Sequence, residues 1–309
     1  MRLLLRPFVF TAAAVVGVLG FIAWLPSSWW LVELTASWRV QILLGALALG
    51  AIALALRGWI AVSIAVATVV LCGPSVASAF LRATPDAPDG ASTLRVGHVN
   101  LQKQPLPLDD IVKEARARRT DVFVLMSVRA EDRENLPARV GEYAIFVPPL
   151  ARDFAMLTRE RIVAIIDPYV YALPGSSISV AVELDDGTRV SLLGLHTQSP
   201  MTPNRTSGRN VQLRAIGEWA NDRDGPHVAF GDFNTTPWSH EFERVLRDAD
   251  LDSSLDGFGL QPSWPARLGP FGITIDHLLH SSDLVTVGRA TGPTFGSEHR
   301  SLWVTLAVR

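Results

Sequence analysis

The chain has 309 residues, 28 Lys+Arg against 30 Asp+Glu, and a formal net charge of −2. With Lys103 and Lys113 the only lysines and no long basic run, this composition argues against a nucleic-acid track, which needs clustered positive charge. Cys72 is the single cysteine, so an intrachain disulfide is excluded, and its apolar surroundings read as a buried, inert thiol.

The even average hides a division along the chain. Between Pro7 and Leu81 the only charged residues are Glu33, Arg39 and Arg57, whereas from Arg82 onward charges are frequent and Gly, Pro, Asp and Asn interrupt the chain every few residues. A helix crossing the hydrocarbon core needs about 20 apolar residues. Residues 8–25, 40–56 and 60–81 fit, which predicts three transmembrane helices within residues 1–82. Arg57-Gly58-Trp59 reads as a tight turn, so the second and third helices form an antiparallel hairpin. Trp24, Trp29, Trp30, Trp38 and Trp59 fall near the span ends, as in an interfacial aromatic belt. A cleaved leader is the competing reading of the first stretch, but no convincing small-x-small site follows it. Arg2 and Arg6 favour a cytoplasmic N-terminus, and three crossings then give a multi-pass protein of the cell membrane with an extracytoplasmic C-terminal domain. Two crossings would reverse the side. Residues 83–92, with Pro85, Pro88 and Gly90, read as a linker.

Residues 93–309 then alternate short apolar runs with polar helical ones. Strands are expected at 93–99, 121–126, 178–184, 189–195, 228–230, 275–279 and 302–308, and helices at 108–118, 210–221 and 240–248. The run 121–126 is continuously apolar, as in a strand buried on both faces. Asp185-Asp186-Gly187-Thr188 joins its neighbours as a hairpin. The mixture predicts an α/β domain of mixed sheets covered by helices.

Four segments carry candidate chemistry. In Gly231-Asp232-Phe233-Asn234, a carboxylate and an amide two residues apart follow a buried strand, where ligands bind in α/β sheets. Asp232 and Asn234 share a side if the chain stays extended, and together they could hold a water: the carboxylate takes its proton and the amide fixes its direction. The same residues also suit an ordinary turn, since Asp and Asn bond their own backbone. His196 ends a strand in Gly194-Leu195-His196, Asp276 opens Asp276-His277-Leu278, and His299 lies in Ser297-Glu298-His299 just before the last strand. A lone His is more often structural. Asp276 is a candidate to fix the tautomer of His299.

In this order, with Asn100, the motifs resemble the endonuclease/exonuclease/phosphatase superfamily, whose members include DNase I-like nucleases, sphingomyelinases and inositol-phosphate phosphatases. The likeness spans residues 93–309, and three preceding spans resemble its membrane-bound bacterial branch, which includes a teicoplanin-resistance protein thought to act on undecaprenyl phosphates. The resemblance implies a four-layer α/β/β/α sandwich of two mixed sheets with a Mg²⁺ (or Mn²⁺) site at one end. By position, Asn100 lies near the metal and Asp232 orients or deprotonates the attacking water, with Asn234 beside it. His196 contacts the phosphate or assists the leaving group. His299, held by Asp276, stabilises the transition state. Two positions depart from the pattern. The metal-ligating Glu after the strand ending at Met126 is Ser127 here, and the family's Ser-Asp-His is Ser297-Glu298-His299. Glu298 is therefore expected to reach the metal, or Glu131 or Asp132 to fold back. Three functions follow: a membrane-anchored phosphoesterase acting on a phosphate-containing, lipid-linked substrate; a binding module impaired by Ser127; and an extracytoplasmic nuclease, which the near-neutral charge disfavours.

Overall fold

The computed structural model describes residues 2–82, 86–148, 153–166 and 177–309. Residues 83–85, the start of the expected linker, lie outside them.

The N-terminal part contains helices α1 (Arg2–Trp24), α2 (Trp30–Ala36), α3 (Arg39–Ala55) and α4 (Trp59–Leu81). Residues 5–24 and 59–81 are long and apolar enough to cross a membrane. Of the three expected spans, the middle one corresponds to a bent pair of helices, so the described residues offer two spans, or three if that pair counts as one. Helix α3 has 17 residues, about 25 Å at the rise of an α-helix, at the lower end of the length a crossing needs. It passes as a span only together with α2, and that pair is bent by 63°. Helix α2 carries Glu33, which is buried against Arg209 at 2.9 Å. The hairpin expected between α3 and α4 is present, closed by Arg57 in the left-handed region and a 2.8 Å hydrogen bond from Gly58 N to Ala53 O. Val15, Val18, Leu47, Val66 and Val70 point outward as an exposed apolar belt. Where α1 meets α4, a side chain on Gly20 would come within 2.6 Å of Thr68, so a small residue sets the helix separation.

The remainder is built from β1 (Thr93–Asn100), α5 (Leu108–Ala117), β2 (Val122–Met126), α6 (Ala130–Glu134), β3 (Arg139–Val140), β4 (Tyr143–Phe146), β5 (Phe154–Thr158), β6 (Arg161–Ile165), β7 (Ser177–Glu183), β8 (Arg189–His196), α7 (Pro203–Asn221), β9 (His227–Asp232), α8 (His240–Asp248), β10 (Asp252–Ser253), β11 (Asp276–His280), β12 (Leu284–Thr291) and β13 (Leu302–Val308). Two mixed sheets result, one ordered β12-β13-β1-β2-β5-β4-β3 and the other β10-β11-β9-β8-β7-β6. Their facing sides close a core containing Val124, Met126, Phe154, Val180, Leu192 and Phe230. Helix α5 covers the outer face of the first sheet through Ile111 and Ala115, and α7 and α8 cover the second through Leu213, Ile216, Phe242 and Val245. This is the four-layer sandwich the sequence predicts.

Helix α7 starts at Pro203, seven residues before the expected position. Thr202 caps it, accepting from Arg205 N at 3.3 Å. Apolar periodicity missed residues 203–209 because the buried ones among them, Thr206 and Arg209, are polar.

Strands β8 and β9 run parallel, with Leu195 opposite Gly231 and His196 opposite Asp232. A side chain at Gly231 would meet the Leu195 carbonyl oxygen at 1.9 Å, and φ is +143°. Only glycine fits, and the tight pairing fixes the height of Asp232 beside His196. Gly231→Ala is expected to cost roughly 3 kcal/mol or more, read as a lowered thermal midpoint; an unchanged midpoint would contradict the close approach.

Candidate active site

The site forms where strand ends from both sheets meet. Asn100 ends β1 and Ser127 follows β2, two parallel neighbours; His196 and Asp232 end β8 and β9, also parallel. Asp276 opens β11 directly opposite Asp232. His299 arrives from the loop between β12 and β13.

Asp232, almost without solvent contact, is ringed by donors. Asn100 Nδ2 donates to its Oδ2 at 2.9 Å, and the backbone N–H of Asn234 donates to Oδ1 at 3.0 Å. The Nε2 atoms of His196 and His299 lie 3.5 and 3.6 Å from Oδ2. Asp276 accepts from His299 Nδ1 at 2.9 Å. On its other side, Asp276 Oδ1 lies 3.5 Å from His98 Nε2, a contact whose alignment falls short of a hydrogen bond. Burial opposes a charged imidazole at His299, yet Asp276 and then Asp232 outweigh it and raise its pKa to about 9. Burial likewise opposes the charge on Asp276, and His299 overcomes it, holding that carboxyl well below the usual range. His299 is thus an imidazolium at neutral pH, with both ring nitrogens as donors. His277 differs: burial drives its pKa down to about 3, and its Nε2 pairs with the Thr235 carbonyl at 2.9 Å.

The structure brings together Asn100, Ser127, His196, Asp232, Asn234, Asp276 and His299. It does not bring Glu298 to them. That side chain is exposed and pairs with Arg267 at 3.3 Å on the outside, and only its backbone N–H turns inward, to Gln102 Oε1 at 2.9 Å. Glu131 and Asp132 are both held by Arg129, each at 2.8 Å, so neither folds back toward Ser127. Ser127 itself is buried with φ +56°, its Oγ 3.3 Å from His196 Nδ1. The Asn234 side chain donates to the Thr197 carbonyl at 3.0 Å, which leaves its backbone N–H, not its amide, on Asp232.

Several participants were not anticipated. His98 lies two residues before Asn100 on β1, so strand alternation puts both on one face and was a usable signal. Ser297 donates to the Asn100 carbonyl at 2.6 Å and accepts from His299 N at 3.0 Å, joining two site loops. Lys103 and Asp153, 3.3 Å apart, line the opening, as do Leu34, Ser37 and Trp38 from the N-terminal segment. Together these walls enclose about 850 Å³.

Polar atoms of Asp232, Asp276 and His299 lie within 4.8 Å of one another, and since a protonated His299 has no lone pair to give, the two carboxylates are the groups that could hold a metal. Two carboxylates and an oxygen-lined opening fit a hard divalent cation by donor chemistry, and the Asp276 Oδ1 left without a hydrogen bond is consistent with that fit.

Paired carboxylates, a cationic imidazole and a second histidine at one end of an α/β/β/α sandwich define a hydrolytic class of site. The Endonuclease/Exonuclease/phosphatase family profile matches residues 97–299, and the chain belongs to that family. Members of the family act on phosphoester bonds. Among solved structures, an endonuclease/exonuclease/phosphatase from Beutenbergia cavernae is 18% identical over 70% of this chain and 72% of its own, with a TM-score of 0.53. D. rerio TDP2 complexed with a single-strand DNA product is 16% identical over 70% of this chain and 100% of its own, at 0.55. A Bacteroides thetaiotaomicron mannosyl-6-phosphatase is 16% identical over 69% of this chain and 99% of its own, at 0.51. At such identities the likeness is one of fold. A search of curated proteins finds no match.

The raised pKa of His299 links stability to pH. Its folded value of about 9 exceeds its ordinary 6.5, so its contribution is complete below the ordinary value and is lost as pH rises through about 9. The thermal midpoint of the wild type is expected to fall across that window. In His299→Gln this component should be missing, so the two midpoints converge as pH rises. Parallel curves would show that His299 is not held as a cation.

Proposed function

We propose that the chain is a membrane-anchored, metal-dependent phosphoesterase that cleaves a phosphate ester or pyrophosphate carried on a lipid, outside the cytoplasmic membrane. One observation carries this reading: His299, 3.6 Å from Asp232, lies in a cavity lined in part by Leu34, Ser37 and Trp38 of the α2–α3 segment.

Phosphate esters resist attack because they are anionic. Asp232 orients the attacking water and takes its proton, with Asn234 fixing the carboxylate through its backbone N–H. His196, on the open side, contacts the phosphate and delivers a proton to the leaving oxygen. His299, fixed by Asp276, offsets the charge that develops on the phosphoryl oxygens. Mg²⁺ or Mn²⁺ would be held by Asp232 with the Asn100 amide nearby, and when bound it supplies further charge neutralisation and polarises the phosphoryl group.

The walls support an amphiphilic substrate. Leu34, Trp38, Met201 and Ile273 line the cavity as apolar surface, and among the described residues Lys103 and Arg205 are its only Lys or Arg. Two such cations fall short of the track a nucleic acid requires. The apolar wall also adjoins helices apolar enough to lie in a membrane, and with the bent α2–α3 pair counted as the middle of three crossings the positive-inside reading of Arg2 and Arg6 supports a site outside.

A second reading is favoured by Ser127. Where the family pattern carries an acid, a hydroxyl faces His196, and a domain lacking that ligand would bind a phosphate-bearing partner without turning it over.

Full-length protein in detergent should release phosphate from undecaprenyl pyrophosphate with added Mg²⁺ or Mn²⁺. Turnover should stop on chelation and fall by about 10²–10³-fold in His299→Ala. Equal turnover by wild type and variant removes His299 from the mechanism. Ser127→Glu separates the two readings: a large gain in rate or metal affinity marks the natural chain as impaired, and a loss marks Ser127 as part of a working site.

A further inference from the structure

We propose that Glu33, in the N-terminal segment, is a positioning residue for the reactive loop, acting through Arg209, so that the anchor is part of the catalytic unit rather than a tether. This rests on reading Asp232–Asn234 as that loop.

The carboxylate of Glu33 and the guanidinium of Arg209 meet at 2.9 Å with each side chain 1% exposed. Arg209 divides its fork three ways. Nη2 donates to Glu33; Nη1 donates to the backbone carbonyl of Asn234 at 3.0 Å; Nε donates to Asn210 Oδ1 at 2.8 Å. Asn234 in turn gives its N–H to Asp232. An unbroken polar chain therefore runs from α2 through α7 to the carboxylate at the centre of the site. Asn234 sits at φ +47°, a conformation that needs support from its surroundings. Arg209 supplies that support, and Arg209 can be tolerated in this dry position only with an anion against it. Burial pushes its pKa down, and Glu33 opposes the shift.

Nearby contacts fix α2 in place. Trp30 Nε1 donates to the Pro200 carbonyl at 3.2 Å, Asn210 Nδ2 to the Ser28 carbonyl at 3.4 Å, and Ser28 Oγ to Glu241. Glu33 is the single acidic residue between Pro7 and Leu81. A residue so costly in an apolar stretch is accounted for by its partner in the folded domain. The alternative is that the pair only fastens two parts of the chain together.

The test uses the full chain in detergent, with Glu33→Gln and the double variant Glu33→Leu/Arg209→Met. Three quantities are read: kcat and KM for phosphate release, the thermal midpoint, and hydrogen exchange of the amides of residues 233–236. In Glu33→Gln, kcat should fall by roughly ten- to a hundredfold with KM little changed, and the loop amides should exchange faster. The double variant removes both buried charges, so its midpoint should recover toward wild type, while kcat stays low because the Asn234 carbonyl has lost its donor. Recovery of kcat together with the midpoint would reduce the pair to a fastening and overturn the proposal. So would unchanged exchange in Glu33→Gln. If the wild type has no turnover, the phosphoesterase reading fails by itself, and the exchange comparison still decides whether Glu33 holds the loop.

Discussion

Asp232 is withdrawn almost completely from water, yet four groups approach its two oxygens: Asn100, Asn234, His196 and His299. A carboxylate in such a place persists only where donors replace the hydration it has lost. Each donor comes from a different part of the fold. Asn100 is on the first sheet, His196 on the neighbouring strand of the second, Asn234 in the loop that follows, and His299 on the approach to the last strand. The two sheets must therefore pack in one register, because another would leave the anion unpaired. Asp276 repeats the arrangement one strand away, between His299 and His98.

The same requirement extends past the sandwich. Arg209 keeps the Asn234 turn in shape but is itself a buried charge, and its counter-ion comes from α2. The bend between α2 and α3 follows from this, since α2 must lie against α7 while α3 joins the apolar bundle. The bend also turns Leu34 and Trp38 toward the cavity. Packing of the N-terminal segment and shape of the site are thus two results of one ion pair.

Much of this was readable from residue order. The continuous apolar run before Ser127, the hairpin turn at Gly187 and the Gly-Asp-x-Asn segment after a short buried strand led to the right elements, because hydrophobic period and turn chemistry are local signals. The set Asn100, His196, Asp232, Asn234, Asp276 and His299 was assembled by resemblance in motif order, and the fold brings its members together. What escaped was non-local. β5 and β12 were not among the expected strands, and their neighbours in the sheet hold them as strands. Glu298 was expected at the metal because it stands where the family's Ser-Asp-His carries its carboxylate, yet its side chain faces Arg267 on the outside. Glu33 was visible as one acid in an apolar stretch, but Arg209 fell outside the expected helix and nothing in the order of residues paired positions 176 apart.

Strand β13 lies between β12 and β1 in the interior of its sheet, and β1 is the first strand after the apolar helices. The chain must therefore be synthesised past residue 302 before β1, which already pairs with β2, acquires its second neighbour, and His299 enters just ahead of that strand. Until then Asp232 and Asp276 lack a cationic partner from this loop, and closing so long a loop is slow. The cluster around Asp232 is therefore complete only with β13 in place, and a polypeptide halted before residue 302 lacks an internal strand rather than a dispensable edge.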